Sequence, residues 1–330
     1  MLRVIKNSPT PVVLRTVFSA AFFLLSVFNF TPCPLNAQAF DQLNGAAPAV
    51  QVPLVPTPQN ATLYTVAPGL NVYFLNVGQG DSIYIELPGG KNALIDGGPS
   101  KSATGRLANF LSEKKVTKID HVMLTHPHSD HYNGLGYIFS NLSVGNFYDT
   151  RVDNTGATAD NNIREQVKTL GINTVYPAAG DHLDWSSSPG LDIKVFSACS
   201  EPSSSSNSNV VNNCSITFRL SYNGSSIFFT GDTQNDAEAR LVERYGDELK
   251  SDVLKVGHHG SKYSSTEIFL NSVRPARAYI EVGKNNYGHP TQGALDRLIA
   301  AGAKIFRTDL DDTQTFSVVD YSAPDGTLAE

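Results

Sequence analysis

The sequence predicts an α/β fold. Three observations carry that reading: short strand-like runs with tight turns open the folded part, helical and strand-like segments alternate after them, and a histidine cluster follows directly on a buried apolar strand. Residues 72–77, 82–87 and 92–95 form the opening runs, split by Gly78-Gln79-Gly80-Asp81 and Pro88-Gly89-Gly90, and make a meander. Leu107, Phe110 and Leu111 at helical spacing predict a helix over 104–115, leading into a strand at 119–124. Helices are expected at 135–141 and 161–170 around a strand at 144–148. A strand at 191–197 precedes a serine-rich loop at 200–209. Residues 215–222 and 226–230 then read as a hairpin turning at Asn223-Gly224, the dipeptide that a two-residue type I′ turn favours. Helices at 236–245, 266–272 and 292–301 alternate with strands at 252–256 and 278–282, and a strand pair over 304–319 closes the chain.

Residues 1–39 have the layout of a secretory signal. Arg3, Lys6 and Arg15 are followed by the apolar run 17–30, and Ala37-Gln38-Ala39 is a small-x-small cleavage site. The run is shorter than the ~20 residues a spanning helix needs, which favours cleavage over a retained anchor. Pro32 and Pro34 beside Cys33 disfavour a lipoprotein anchor. Residues 40–68, rich in Pro, Ala, Gln and Asn with no apolar period, read as a flexible leader, and 69–330 as one folded domain. No stable membrane span is expected after cleavage, so the expected location is secreted, periplasmic or extracellular. Removal of Cys33 leaves Cys199 and Cys214, an even pair suited to one disulfide in an oxidising compartment, or else two free thiols. The 330 residues, 41% hydrophobic, suffice for one substantial core. A formal charge of -6 weighs against a non-specific nucleic-acid coat but leaves phosphoesters open as substrates.

Thr125-His126-Pro127-His128-Ser129-Asp130-His131 brings together imidazole and carboxylate, the ligand set suited to Zn²⁺ and similar ions. Alternate side chains in an extended segment share a face, so His126 and His128 can reach one ion. After the chain turns, Asp130 and His131 can reach a second. His121 and His182 fall outside any motif and read as structural.

Leu94-Ile95-Asp96-Gly97-Gly98, the 126–131 cluster, Phe229-Thr230-Gly231-Asp232 and Val256-Gly257-His258-His259-Gly260-Ser261, in that order, resemble the metallo-β-lactamase superfamily over about residues 70–319. Phe74-Leu75-Asn76-Val77-Gly78-Gln79-Gly80-Asp81-Ser82 and Tyr287-Gly288-His289-Pro290 look like the hydrolase domain of ComEC-type DNA-uptake proteins, and like secreted phosphorylcholine esterases. The resemblance implies a four-layer αββα sandwich with two divalent metal ions at one edge. Zn²⁺ is favoured, with Mn²⁺ or Fe²⁺ as alternatives. It assigns His126 and His128 to the first metal, Asp130 and His131 to the second, and Asp232 to both. Of the paired histidines, His258 is the favoured further ligand of the second metal, with His259 behind it or facing substrate; the reverse assignment stays open. Asp130, His259 and His289 are expected to act in the reaction, His289 by binding a phosphate oxygen or protonating a leaving group. Lys262 is a further candidate to contact phosphate, and Asp81 and Asp96 are expected to shape the loops by accepting backbone hydrogen bonds.

Two departures from the family pattern matter. Asn212-Asn213 stands where lactamases have a third histidine on the first metal, which points away from β-lactam hydrolysis. Asn76 stands where ComEC-like sequences carry Asp, which weakens the case for DNA hydrolysis if that Asp supports the site. The implied function is a secreted metal-dependent hydrolase of phosphoesters, phosphodiesterase-like or nuclease-like, in which a hydroxide between the metals attacks the ester. Its partner would be an ester substrate such as nucleic acid or a phosphorylated surface polymer. A carboxylic-ester, lactone or β-lactam hydrolase and a non-catalytic cell-surface or DNA-binding module are the alternatives.

Overall fold

A computed structural model describes residues 65–99 and 101–322. The expected signal and most of the expected leader lie outside the described residues. The end of that leader does not: β1 (Thr65–Phe74) starts inside it and pairs with the last strand from Thr65 onward. With β2 (Ile83–Glu86) and β3 (Asn92–Ile95), β1 forms the expected antiparallel meander. Helix α1 (Lys101–Glu113) crosses to β4 (Lys118–Met123), which is parallel to β3. The short α2 (Ser129–Tyr132) and α3 (Leu135–Asn141) lead to β5 (Ser143–Tyr148); β6 (Val152–Asn154) and α4 (Asp160–Thr169) lead to β7 (Asn173–Val175). The second half runs β8 (Leu191–Ser197), β9 (Ser203–Ser205), α5 (Ser208–Asn212), β10 (Thr217–Tyr222), β11 (Ser225–Phe229), α6 (Asn235–Tyr245) and β12 (Val253–Lys255). It ends with α7 (Glu267–Val273), β13 (Arg277–Ile280), α8 (Gln292–Ala300), β14 (Lys304–Arg307), α9 (Thr308–Asp311) and β15 (Gln314–Ser322).

Seven strands pair in the order β15-β1-β2-β3-β4-β5-β7 and six in the order β14-β13-β12-β11-β10-β8. The period of two within each strand divides the apolar side chains between layers. Ile227 and Phe229 of β11 join Ile83 and Ile85 of β2 in the core between the sheets, whereas Phe228 faces outward onto Leu241 of α6 and Phe269 of α7. On the other side Tyr84 and Leu94 pack with Leu107 of α1, Ile138 of α3 and Val167 of α4. The result is the αββα sandwich that the motifs imply. The Asn223-Gly224 hairpin forms as expected, with both residues at positive φ (45° and 77°).

Two expectations are corrected. The serine-rich segment contains β9 and the start of α5 as well as loop. It orders without apolar side chains because β9 pairs with β6 through its backbone and a Cys199–Cys214 disulfide closes its ends. The closing strands do not pair with each other. β14 joins β13, and after α9 the chain passes to the other sheet, where β15 lies against β1. No helix among the described residues is long and apolar enough to cross a membrane.

Candidate metal centre

The carboxyl ends of parallel strands from both sheets converge on one edge, the place where open α/β sheets offer ligand sites. Asp96 follows β3, the histidine run follows β4, Asp232 follows β11, and His258 and His259 follow β12. The chain must fold tightly to bring these ends together. Gly80 shows how tightly: a Cβ there would lie 2.2 Å from the Asp130 carbonyl oxygen. His258 and His259 lie in a 3₁₀ turn with φ of 47° and 53°, a left-handed conformation that costs roughly 1 kcal/mol or more for a side chain other than glycine.

Two sets of side chains result, and they share Asp232. Asp130, His131, Asp232 and His259 form one; His126, His128 and Asp232 form the other, with the ligand atoms of each set within 4.8 Å of one another. His131 Nε2 and His259 Nε2 lie 3.4 and 3.6 Å from Asp232 Oδ1, while His126 Nε2 lies 3.7 Å from Oδ2. His259, and not the favoured His258, is the member of the paired histidines that joins the first of these sets. Its ring is buried beside Asp130 Oδ2 at 3.4 Å, whereas the His258 ring sits at the cleft mouth, 22% exposed, with Nε2 3.7 Å from Asp232 Oδ2.

The far nitrogen of each buried ring is held by a second partner. His131 Nδ1 contacts Asp96 Oδ2 at 2.8 Å, and His259 Nδ1 donates to the Glu281 carbonyl at 2.8 Å with Asp81 Oδ1 at 3.2 Å. Such partners fix the ring orientation and make Nε2 the atom left to a cation that displaces its proton. His131 Nε2, His259 Nε2, Asp232 Oδ1 and Asn212 Oδ1 are buried with no hydrogen-bond partner. Leaving such atoms unsatisfied is costly, and a cation shared among nitrogen and oxygen donors would satisfy them.

Electrostatics point the same way. Burial opposes charge on His131, but Asp232, Asp96 and Asp130 outweigh it and hold its pKa well above the ordinary value. His259 is likewise raised, to about 10, by Asp232 and Asp81 against the effect of burial. Burial also opposes ionisation of Asp232, yet His131 and His259 hold it well below the carboxylate range. The carboxylates thus create a strongly negative pocket that retains protons where no other cation is present. His126, His128 and His258 are shifted down, chiefly by burial.

The remaining predicted residues divide. His289 lines the cleft, its ring 5.2 Å from that of His258, and burial followed by His258 and His259 lowers its pKa to about 4. It is therefore neutral at pH 7, which suits a hydrogen bond to an oxygen rather than protonation of a leaving group. Lys262 does not line the cleft; its Nζ lies 4.9 Å from the Tyr263 ring. Asn76 is also away from the site, bonded to Asp312 and Arg106, so that departure does not touch the ligand sets. Asn212 is the asparagine that faces His128, while Asn213 Oδ1 caps the Gln234 amide. Asp96 accepts the Thr125 backbone N–H as expected. Asp81 instead serves two side chains, His259 and the buried Lys255, whose Nζ lies at 2.6 Å. His121 is a core residue stacked on Trp185, and His182 an exposed partner of Asp192.

Lys255, Glu281 and Ser208 went unrecognised in the sequence. Lys255 and Glu281 are both buried, Glu281 Oε1 accepting the Ser82 amide. A signal existed: each is a charged residue inside an otherwise apolar strand run, Val253-Leu254-Lys255-Val256 and Ile280-Glu281-Val282. Ser208, whose Oγ lies 3.3 Å from His128 Nε2, sits in the serine-rich stretch and has no such signal.

The metallo-β-lactamase superfamily model matches residues 75–189. ComE operon protein 3 of Bacillus subtilis is 28% identical over 260 residues, covering 73% of this chain and 32% of that protein. Competence protein ComA of Neisseria gonorrhoeae is 30% identical over 244 residues, covering 74% and 31%. The chain thus spans about a third of the length of these relatives. Among solved structures, CmlA, a diiron β-hydroxylase from Streptomyces venezuelae, is similar with a TM-score of 0.52 at 13% identity, over 76% of this chain and 54% of that one. At that identity the likeness is one of fold. In its motifs, its layers and the edge where its histidines and aspartates meet, the chain carries a metallo-β-lactamase superfamily domain.

Proposed function

We propose that this protein is an exported, metal-dependent hydrolase of phosphodiesters. The observation that carries the reading is the pair of ligand sets joined at Asp232, with buried nitrogen and oxygen atoms that have no protein partner. In this reading His126, His128 and Asp232 hold one divalent cation, with Asn212 Oδ1 beside it, and Asp130, His131, His259 and Asp232 hold the other. The donors are mixed imidazole and carboxylate, which favours Zn²⁺ and leaves Mn²⁺ or Fe²⁺ as alternatives. Two such cations would lower the pKa of bound water toward about 7 and offset the charge of an anionic ester.

The chain's own groups have separate tasks. Asp96 and Asp81 hold His131 and His259 through Nδ1, and Lys255 balances the charge of Asp81 beneath the site. Gln234 Nε2 lies 3.2 Å from His258 Nδ1; with the amide donating there, the ring proton sits on Nε2 at the cleft mouth. His258 and neutral His289 would then bind non-bridging oxygens of the ester. Asn212 in place of a histidine, and competence proteins among the relatives, favour phosphodiesters over acyl substrates. The apolar run and cleavage site at the N-terminus, with the Cys199–Cys214 disulfide, favour an oxidising location outside the cytoplasm.

The test is turnover of bis-p-nitrophenyl phosphate and single-stranded DNA across several added metals, beside nitrocefin and acyl-lactones. Metal-dependent phosphodiester cleavage that exceeds acyl hydrolysis is expected. Purified protein without metal-dependent activity on either phosphodiester would overturn the reading.

A further inference from the structure

We infer that Tyr287 is a stacking platform for a nucleobase next to the scissile phosphate, which makes an unpaired nucleic-acid strand the substrate. This rests on the phosphodiesterase reading and narrows it. Tyr287 is 73% exposed, the most exposed large hydrophobic or aromatic side chain among the described residues. It is also the one member of that exposed group that lines the metal cleft. Its ring lies 5.7 Å from that of His289, so a ring stacked on it would leave its attached phosphate close to the ligand sets.

The loop that carries the ring is tied down. Asn285 donates from Nδ2 to the carbonyls of Gly283 and His289 at 2.9 and 2.8 Å, and its Oδ1 accepts the amides of Tyr287 and His289 at 3.0 and 3.1 Å. The base of the loop is tied down as well, the Gly283 amide donating to Gln79 Oε1 at 3.3 Å. A loop with one side chain accounting for four bonds has no packing reason to present a bare aromatic ring to water. Holding the backbone of Tyr287 in place beforehand reduces the ordering cost that stacking would otherwise carry.

Charge around the cleft supports stacking over a cationic clamp. No lysine or arginine is among the described residues lining it, and the chain carries a formal charge of -6, so a strand gains little from phosphate neutralisation by the protein. Base stacking fills that gap without sequence preference, because every base has a π-face. A quaternary ammonium could also sit on a tyrosine face, but such groups are held by cages of several aromatic rings, and no second Tyr, Phe or Trp lines this cleft among the described residues.

The experiment uses the metal-loaded protein and its Tyr287→Ala and Tyr287→Phe variants. Binding of a short phosphorothioate thymidine strand and of an abasic strand of equal length is measured by fluorescence anisotropy, with steady-state hydrolysis of the unmodified strands and of p-nitrophenylphosphorylcholine alongside. Tyr287→Ala is expected to weaken thymidine-strand binding by about tenfold and raise KM with little change in kcat, while Tyr287→Phe restores both and the abasic strand is indifferent. Equal losses on the two strands, no loss on either, or a loss specific to the choline ester would overturn the inference. Tyr287-dependent binding without hydrolysis would instead sink the catalytic reading and leave the platform standing. Hydrolysis with binding indifferent to Tyr287 would do the reverse.

Discussion

The two ligand sets that meet at Asp232 are unlike in construction. In the set of Asp130, His131 and His259, both imidazoles are buried, both are fixed through Nδ1, and two carboxylates stand behind them, Asp96 and the Asp81 that buried Lys255 balances. In the set of His126 and His128, His126 Nδ1 has the Thr125 hydroxyl at 3.1 Å and part-buried His128 has the Ser208 hydroxyl at 3.3 Å. Asn212 faces His128 there, at the place where the resemblance leads one to expect a third imidazole. The first set comes from α2 and from the 3₁₀ turn after β12; the second comes from the segment directly after β4, with His128 backed by α5, a short helix held by a disulfide. Supporting partners govern how well a ligand holds its ion, so on the two-metal reading proposed above the difference predicts one strong and one weak site.

The largest effect should come from the residue that both sets share. Asp232→Ala removes the common carboxylate, and we expect loss of bound metal at both sites with activity down by roughly 10³-fold. Metal analysis of the purified variant checks this directly. Unchanged metal content would break the two-site reading itself.

Next in size is the contrast between the sets. His259→Ala takes a ligand from the better supported set and should abolish tight binding of the first equivalent. That loss should exceed the roughly 10- to 100-fold cost of removing a supporting partner alone. His128→Ala should leave that tight equivalent in place and weaken the second. Equilibrium dialysis with metal quantification separates the two, and a reversed order of losses would invert the comparison.

The parts of the centre legible in the sequence are those whose chemistry is local. The 126–131 run announces itself by residue type and by following an apolar strand, Asp232 is reached only through the company its motif keeps, and most elements of the sandwich could be read from period and turn dipeptides. His259 could not be told from His258, because the choice depends on a left-handed turn that aims one ring inward and the other at the mouth. Asn212 could not be told from Asn213 for the same reason: one turn of α5 decides which points at His128. The crossing of β15 to β1 joins residues more than two hundred positions apart, and no local pattern records it.

Acidity offers a third test, restricted to the better supported set. The pKa of His259 is raised to about 10 and that of His131 well above 6.5, so at neutral pH both rings keep protons when no metal is bound. A cation taking Nε2 must displace them. Apparent affinity at this site should therefore rise with pH by about tenfold per unit for each proton displaced, levelling off only near the folded pKa. The second set, whose histidines are shifted down, should gain little above pH 7. The stability sign is opposite for the metal-free protein: a raised His259 pKa stabilises the fold fully below about 6.5, and that contribution fades as pH climbs through about 10. Calorimetric titrations between pH 6 and 8 that showed equal slopes at both sites would remove the electrostatic distinction.

The smallest expected effect on the centre concerns the disulfide, and it is the most selective. Cys199 and Cys214 close a loop whose sequence separation is 15, and within it lie Ser208 and Asn212, the two side chains that steady His128. A loop of that length stabilises the fold by about 3 kcal/mol in the chain-entropy view, so Cys199→Ser paired with Cys214→Ser should lower the denaturant midpoint and, because the unfolded chain then expands, steepen the slope. At the centre the consequence should be confined to one side. Releasing the loop frees α5 to move off His128, which should weaken metal binding at the His126 set several-fold, while among the described residues the side-chain partners of Asp130, His131 and His259 lie outside the loop. Metal titration of the double variant under non-denaturing conditions reads this out. Equal weakening of both sites would show that the loop supports the sandwich as a whole, and that the inequality of the two sets lies elsewhere.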